Sequence, residues 1–240
     1  MKTERIDVHA HLLPALDDGS TCVAESLAIA RRYVAAGYTD FHCTPHLWPG
    51  YEAYTPTFIT ERVAHLQLQL DRAEIPLRLH PGAEINLDMP LESMDPSDIP
   101  TYGMKRKFAL FDFWSNTLPS EYEKRIELLQ SMGIQPIRAH PERIGVFQRD
   151  PGLLDRLSER GVWFQGNLQC LADPPGRATR DLAERWLREK RYFMLGSDTH
   201  GLDSVNIRLQ GLANAIEFVG AAEVDRLTKE NPRVLLGLDE

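Results

Sequence analysis

Residues 5–11 read RIDVHAH, and this short stretch contains the start of the fold and the start of a candidate site. Apolar Ile6 and Val8 alternate with polar residues, which is the period-two pattern of a β-strand. An extended strand places every second side chain on one face, so His9 and His11 point to the same side. The pattern predicts a strand over residues 5–9, with two imidazoles converging at its carboxyl end.

The rest of the chain repeats this alternation of short strands and amphipathic segments. Further apolar runs predict strands over residues 39–43, 77–80, 108–113, 135–139, 162–166 and 192–195. Segments such as residues 23–37, 57–73 and 178–190 have apolar residues three and four positions apart, which indicates helices. The longest irregular stretch, residues 86–106, is typical of a loop with a short helix. Without a linker, the alternation favours one α/β domain over residues 1–240, with a parallel sheet closed or nearly closed into a seven-unit barrel.

Composition excludes several classes of protein. The 240 residues include 27 Lys and Arg against 35 Asp and Glu, a net charge of −8 that disfavours nucleic-acid binding. Cys22, Cys43 and Cys170 form no C-x-x-C pair, which argues against a disulfide framework or zinc ribbon and favours a reducing compartment. There is no run of about 18 apolar residues and no apolar segment at the N-terminus, so we expect a cytoplasmic protein with no membrane insertion.

Side chains able to bind metals follow the carboxyl ends of six of the seven predicted strands. They are His9, His11, Asp17 or Asp18 in the first loop, His46, Glu84, Asp112, His140, Asp198 and His200. In a parallel barrel these ends share one mouth, where active sites are assembled. Mixed imidazole and carboxylate ligands suit Mn²⁺, Fe²⁺ or Zn²⁺, and nine candidates are too many for one ion, so the set predicts two or three. His42, His65 and His80 are not expected as ligands, and either Asp17 or Asp18 could instead cap the helix that begins near Thr21.

Adjacent metal ions can bind the oxygens of a phosphate ester and lower the pKa of a water between them, so hydrolysis is the predicted chemistry. Competing mechanisms lack their motifs in the sequence. There is no G-x-G-x-x-G or G-x-x-x-x-G-K-[ST] loop and no G-x-S-x-G elbow. No cysteine is followed by five residues and then Arg, so a cysteine-nucleophile phosphatase is not expected.

The motifs DVHAHLLPALDDGS, CTPH, PGAEINL, FALFDF, AHPER and GSDTH resemble the PHP (polymerase and histidinol phosphatase) superfamily. Within it they are similar to the bacterial protein-tyrosine phosphatases of capsule and exopolysaccharide operons, and the resemblance spans almost the whole chain. It implies a distorted (β/α)₇ barrel that holds three divalent metals, commonly manganese. It also implies hydrolysis of phosphotyrosine on a bacterial tyrosine kinase.

The same resemblance implies roles for individual residues. His9, His11, Glu84 and Asp198 would hold one metal, Glu84 would bridge to a second held by Asp112 and His140, and Asp18, His46 and His200 would hold the third. Arg143 matches the family's phosphate-binding arginine, and Arg208 is the candidate for a second one, although it falls later than the family pattern places it. Asp112 stands where the family usually has Glu, which shortens the side chain by one methylene.

Several alternatives remain open at the level of sequence. Arg143 could instead form a solvated ion pair with Glu142, and the aromatic loop of Trp48, Tyr51 and Tyr54 could either wall a phosphotyrosine pocket or pack as an ordinary surface loop. The chain could hydrolyse histidinol phosphate or another small phosphate ester, or act as a metal-binding regulatory partner without turnover. Self-association is also left open.

Overall fold

The structure is a computed structural model that describes residues 4–51, 53–113, 117–174 and 176–237. Its strands in these ranges are β1 (Arg5–Ala10), β2 (Tyr38–Cys43), β3 (His46–Leu47), β4 (Arg78–Pro81), β5 (Glu84–Asn86), β6 (Phe108–Asp112), β7 (Gln135–Ala139), β8 (Trp163–Asn167) and β9 (Met194–Gly196). Its α-helices are α1 (Val23–Ala35), α2 (Pro56–Arg72), α3 (Tyr122–Ser131), α4 (Gly145–Arg149), α5 (Gly152–Glu159), α6 (Arg177–Arg188), α7 (Val205–Val219), α8 (Ala221–Asp225) and α9 (Arg233–Leu236).

Every ladder between these strands is parallel, in two sheets ordered β1-β2-β4 and β3-β5-β6-β7-β8-β9. Residues 44–45 separate β2 from β3 and residues 82–83 separate β4 from β5, so the two sheets are continued by the same chain segments. A parallel bridge between Ala10 and Thr199 joins β1 to the segment after β9. The seven predicted strands are present, with ends shifted by at most two residues. The very short β3 and β5 were missed because two or three residues show no periodicity.

The sheets curl around a small apolar cluster that includes Ile6 and Val8 of β1, Leu110 of β6, Ile137 of β7 and Met194 of β9. β1 belongs to one sheet, whereas β6, β7 and β9 belong to the other. Their side chains therefore meet inside the curl formed by the two sheets. Each such buried side chain contributes roughly 1.5–3 kcal/mol through the hydrophobic effect. A larger apolar cluster packs helices against the strands. The result is a mixed α/β fold whose curled parallel sheet directs the strands' carboxyl ends toward one end.

Residues 86–106 are mostly irregular, with 3₁₀ turns at Leu91–Ser93 and Tyr102–Met104, as the sequence predicted. The hydroxyl of Tyr102 donates to the carbonyl oxygen of Val8 at 2.7 Å, which fixes this segment to β1. None of the helices in the described ranges combines the length and the apolar character needed to cross a membrane.

Candidate metal centre

His9 and His11 are both buried at the end of β1, on the same face as the alternation predicted. Their Nε2 atoms lie 3.1 Å apart. Their Nδ1 atoms are held from behind, that of His9 by Oε1 of Gln165 at 2.8 Å and that of His11 by Oδ2 of Asp17 at 2.7 Å. Contacts of this kind fix the orientation of metal-binding imidazoles and leave the inner nitrogen available.

Glu84, at the start of β5, lies in the middle of the cluster and is 1% exposed. Its Oε2 lies 3.4 Å from Nε2 of His9 and 2.9 Å from Nδ1 of His46. Its Oε1 faces the other way, 2.9 Å from Nε2 of His140. The two oxygens therefore serve different sets of imidazoles, which is the geometry of a bridging carboxylate.

Asp198 follows β9 and has a φ of +51°, a left-handed conformation that residues other than glycine rarely adopt. Its Oδ1 lies 3.4 Å from Nε2 of His9 and 3.3 Å from Nε2 of His11. Its Oδ2 accepts hydrogen bonds from Nη1 of Arg143 at 2.6 Å and from Nδ2 of Asn167 at 2.7 Å. Backbone strain at such a position is typical of functional sites, where surrounding contacts maintain it.

Asp18, His46 and His200 meet at the open edge of the cluster. Oδ1 of Asp18 lies 3.3 Å from Nε2 of both histidines. The loop reaches this position because Gly19 packs directly on β1, where a Cβ would lie 2.2 Å from the carbonyl oxygen of His11. The capping role considered for Asp17 and Asp18 is wrong, because helix α1 begins after Cys22 without a side-chain cap.

Asp112 ends β6 beside His140, whose Nε2 lies 4.0 Å from its Oδ2. Its other oxygen, Oδ1, pairs with Nη1 of the fully buried Arg138 at 2.5 Å and accepts from the backbone nitrogen of Phe113 at 2.6 Å. Arg138 stacks over the ring of Phe113, 4.4 Å from its centroid. The buried carboxylate thus has a cationic neighbour on one side and one oxygen directed toward the cluster, which offsets the cost of burying its charge.

The structure brings all nine predicted ligands together. Their ligand atoms form four sets whose members lie within 4.8 Å of one another: His11, Asp18, His46 and His200; His9, His11 and Glu84; His9, His140 and Asp198; and Glu84, Asp112 and His140. His42, His65 and His80 lie outside these sets. His80 instead contacts Asp40, with 2.8 Å between Nε2 and Oδ1, and His65 is exposed on α2.

Imidazoles and carboxylates in the cluster shift each other's pKa values. Burial lowers the pKa of His9, but the carboxylates of Glu84 and Asp198 outweigh this effect and raise it to about 9. His46 follows the same balance and its pKa rises to about 10. Burial raises the pKa of the Glu84 carboxyl, yet the imidazoles of His9 and His46 hold it well below its usual range. A cation bound at these atoms would therefore have to displace imidazole protons.

The spacing of the inner atoms fits a divalent cation. Four ligand atoms surround this space: Nε2 of His9, Nε2 of His11, Oε2 of Glu84 and Oδ1 of Asp198. Five of the six distances between them are 3.1–3.6 Å. Bonds of about 2.0–2.2 Å to a tetrahedral ion place ligand atoms about 3.3–3.6 Å apart. Nitrogen and carboxylate oxygen ligands suit manganese, iron and zinc. The residues present therefore fit the binding of a divalent cation.

Arg143 lies at the mouth of this cluster, with its side chain 39% exposed, and pairs with Asp198. The alternative ion pair with Glu142 is wrong, because Glu142 is buried and its Oε1 accepts from the backbone nitrogen of Asn167 at 2.7 Å. Arg208 is buried behind Asp198 and donates to the carbonyl oxygens of Asp198 and Ser197, at 3.0 and 3.3 Å. Its contacts orient the backbone of Asp198 and are not directed at the mouth.

The aromatic loop lies against the cluster. The ring of Trp48 stacks on that of His46 with 4.3 Å between centroids, and Tyr51 meets Trp48 edge-on at 5.8 Å. The hydroxyl of Tyr54 donates to the carbonyl oxygen of Leu16 at 2.6 Å, next to the Asp17 and Asp18 loop. The loop is thus both packed and adjacent to the site.

Sequence reasoning missed the outer partners of the site, Asp17, Gln165 and Asn167. β8 was the one predicted strand without a metal-capable residue at its end, yet it supplies Gln165 to His9 and Asn167 to Asp198. The sequence did offer a signal for two of them: Gln165 lies inside an apolar strand and Asn167 lies at its carboxyl end. Asp112 is a polar side chain in the same kind of position in β6.

Comparisons with known proteins identify relatives that match nearly the whole chain. A family model described as capsular polysaccharide synthesis, CpsB/CapC, matches residues 5–237. The tyrosine-protein phosphatase YwqE of Bacillus subtilis is 30% identical over 232 residues, covering 96% of this chain and 91% of the relative. The tyrosine-protein phosphatase CpsB of Streptococcus pneumoniae is 26% identical over 239 residues, covering 96% and 98%. A solved structure from a study of these two proteins, described as unique metal-dependent tyrosine phosphatases, matches with a TM-score of 0.85, 29% identity and coverage of 97% and 94%.

Proposed function

The chain belongs to the CpsB/CapC family of capsular polysaccharide synthesis, and we propose that it is a metal-dependent protein-tyrosine phosphatase. The observation that carries the proposal is the convergence of nine imidazole and carboxylate side chains at one end of the curled sheet, with Arg143 at their edge. Its substrate is a phosphotyrosine protein, and we propose a bacterial tyrosine kinase of a capsule or exopolysaccharide system. Action in the cytoplasm stays a prediction from the sequence.

We propose three divalent ions, with Mn²⁺ as the physiological metal. His9, His11, Glu84 and Asp198 would hold one, Glu84, Asp112 and His140 a second, and Asp18, His46 and His200 the third. The close sets of ligand atoms support the second and third groups, and the distances of 3.4 and 3.3 Å from Oδ1 of Asp198 to Nε2 of His9 and His11 support the first. Bound there, divalent ions would polarise phosphate oxygens and acidify water, which supplies the hydrolytic chemistry.

The chain's own residues bind and orient the ester. Arg143 offers a planar guanidinium at the mouth, and its remaining N–H groups suit two oxygens of a phosphate and the charge that develops on them. Asn167 shares Oδ2 of Asp198 with Arg143 and keeps that carboxylate oriented. Arg208 acts as a positioning residue through the carbonyl oxygen of Asp198, and Trp48 with Tyr51 provides an aromatic wall for the tyrosine ring.

We also propose that the two sheets form one distorted (β/α)₇ barrel in a single domain over residues 1–240. The bridge between Ala10 and Thr199 supports closure, since it joins the first strand to the segment after the last. The apolar cluster shared by β1, β6, β7 and β9 supports a common interior.

Phosphate release from a tyrosine-phosphorylated peptide tests this function. Protein stripped with a chelator should be inactive, and Mn²⁺ should restore release that is selective over a matched phosphoserine peptide. His11→Ala and Asp198→Ala should abolish release and lower metal content, whereas His65→Ala, a change at an exposed histidine outside the cluster, should alter neither. Metal-loaded protein that releases no phosphate from either peptide would contradict the proposal and favour the small-ester or regulatory alternative.

A further inference from the structure

An open groove of about 790 Å³ begins at the outer edge of the metal centre and runs along helix α1. Asp18 and His200 form its inner end, Glu25 and Leu202 its middle, and Arg32 with Asn206 its outer end. A smaller hollow of about 360 Å³, lined by Ala28, Arg31, Arg32 and Leu202, continues from the outer end. The metal centre is therefore open on this side to a segment longer than one residue.

The charges along the groove are separated in space. Oε1 of Glu25 accepts from the backbone nitrogen of Leu202 at 3.1 Å and its Oε2 from that of Thr21 at 2.8 Å, so this carboxylate is engaged in holding the groove walls together. The third acidic residue of the groove wall, Asp203, lies beside Glu25, because a Cβ placed on Gly201 would lie 3.0 Å from Oδ1 of Asp203 and 3.4 Å from Oε1 of Glu25. The acidic part of the groove is thus its inner part.

The outer end carries two positive charges without a carboxylate partner among the described residues. Nη2 of Arg32 donates to the neutral amide oxygen of Asn206 at 2.8 Å. Arg31 is exposed, and within the described ranges its side chain has no hydrogen-bond or ion-pair partner. Leu202, 38% exposed, and Ala28 provide apolar surface in the same hollow as the two arginines.

We propose that this groove binds the peptide that flanks the phosphotyrosine, and that Arg31 and Arg32 select acidic residues in it. This proposal rests on the phosphatase function proposed above. Glu25 and Arg32 are seven positions apart on α1, which is about 10 Å along a helix. An extended peptide covers that distance in about three residues. Since Glu25 lies in the middle of the groove and the phosphotyrosine would bind at its inner end, the preferred acidic residues lie at least about three positions from the phosphotyrosine.

Three substrates test the docking surface: free phosphotyrosine, a phosphotyrosine peptide with Glu at positions three to five on both sides, and the same peptide with Gln. The wild-type protein loaded with Mn²⁺ should favour the Glu peptide by about tenfold in kcat/KM, the size expected from a few exposed charge pairs. The preference should shrink as salt is added, because exposed charges are screened.

Arg31→Glu, Arg32→Glu and their combination should raise KM for the Glu peptide, with the double change removing the preference. Arg31→Glu alone is informative because the exposed Arg31 side chain loses no hydrogen bond or ion pair to the part of the chain that the structure describes. Turnover of free phosphotyrosine, which is too short to reach the arginines, reports that each variant is folded and metal-loaded. Arg72→Glu, an exposed arginine at the end of α2, is the matched control and should behave as wild type.

Equal kcat/KM for the Glu and Gln peptides in the wild type would overturn the docking proposal. So would a charge reversal that slowed both peptides to the same extent. Failure to hydrolyse even free phosphotyrosine would instead refute the phosphatase function, so the two failures are distinguishable.

Discussion

Asp17→Asn is the sharpest test of how the proposed metal centre is held together, because Asp17 contacts the proposed ligand His11 and lies outside the close sets of ligand atoms. Its Oδ2 accepts from Nδ1 of His11 at 2.7 Å and from the backbone nitrogen of His46 at 3.0 Å. Its Oδ1 accepts from the backbone nitrogen of Gly19 at 3.0 Å. Asparagine has the same shape but only one side-chain oxygen. Its NH₂ group, which is a donor, must therefore face another donor, either the backbone nitrogen of Gly19 or the nitrogens of His11 and His46.

The expected loss follows from those contacts. A hydrogen bond to a charged group is worth about 1.5–3 kcal/mol, and the neutral amide recovers part of it. Partners that orient metal-binding histidines typically contribute 10–100-fold to metal affinity, which corresponds to about 1.4–2.8 kcal/mol. We therefore expect Asp17→Asn to raise the Kd for Mn²⁺ by roughly 10–100-fold.

Competition with a fluorescent chelator measures this affinity directly. Asp71→Asn is the matched control, since Asp71 is an exposed carboxylate that accepts from Nε2 of Gln67 on the same helix, far from the cluster. It should leave Mn²⁺ affinity unchanged. An Asp17→Asn protein that binds Mn²⁺ within about twofold of wild type would refute the idea that this carboxylate orients His11 for a metal.

Three further results are expected. Arg143→Lys should lower kcat by about 10²–10³-fold with metal content unchanged, because the planar fork is lost; a rise in KM alone would contradict its role in charge stabilisation. Burial raises the pKa of Asp40, but hydrogen bonds from His80 and Arg78 outweigh it and lower the pKa to about 2. Arg78 is 71% exposed, so water screens its attraction to Asp40 and reduces the contribution of this ion pair to stability. We therefore expect Asp40→Asn to lower the free energy of unfolding by about 1 kcal/mol at pH 7. Denaturant titrations should show that cost disappearing as pH falls from about 4 to about 2, and a pH-independent cost would contradict the argument. Removing metal with a chelator should lower Tm and Mn²⁺ at 100 times its Kd should restore about 2.7 kcal/mol, whereas an unchanged Tm would indicate no coupling to folding.

Much of the site could be predicted because its ligands obey a local rule. Each metal-capable residue except Asp18 lies at or shortly after the carboxyl end of a strand, and strand periodicity is a property of neighbouring residues. In RIDVHAH, the spacing alone places His9 and His11 on one face, and the structure confirms it. The bounds of β7, residues 135–139, were predicted without error for the same reason.

The sequence by itself determined the parallel α/β class, the succession of seven strands along the chain, and the metal-capable side chains at their ends, with one carboxylate from the pair Asp17 and Asp18. It could not separate Asp17 from Asp18, because adjacent carboxylates in one loop have the same local signals. Tertiary packing decided that Asp18 faces His46 and His200 while Asp17 supports His11 from behind. It also brought Gln165 to His9 and Asn167 to Asp198, pairs separated by 156 and 31 positions. Whether two groups form a hydrogen bond depends on differences of a few tenths of an ångström in the distance between them. When the two groups lie on separate elements, only the packed sheet fixes that distance.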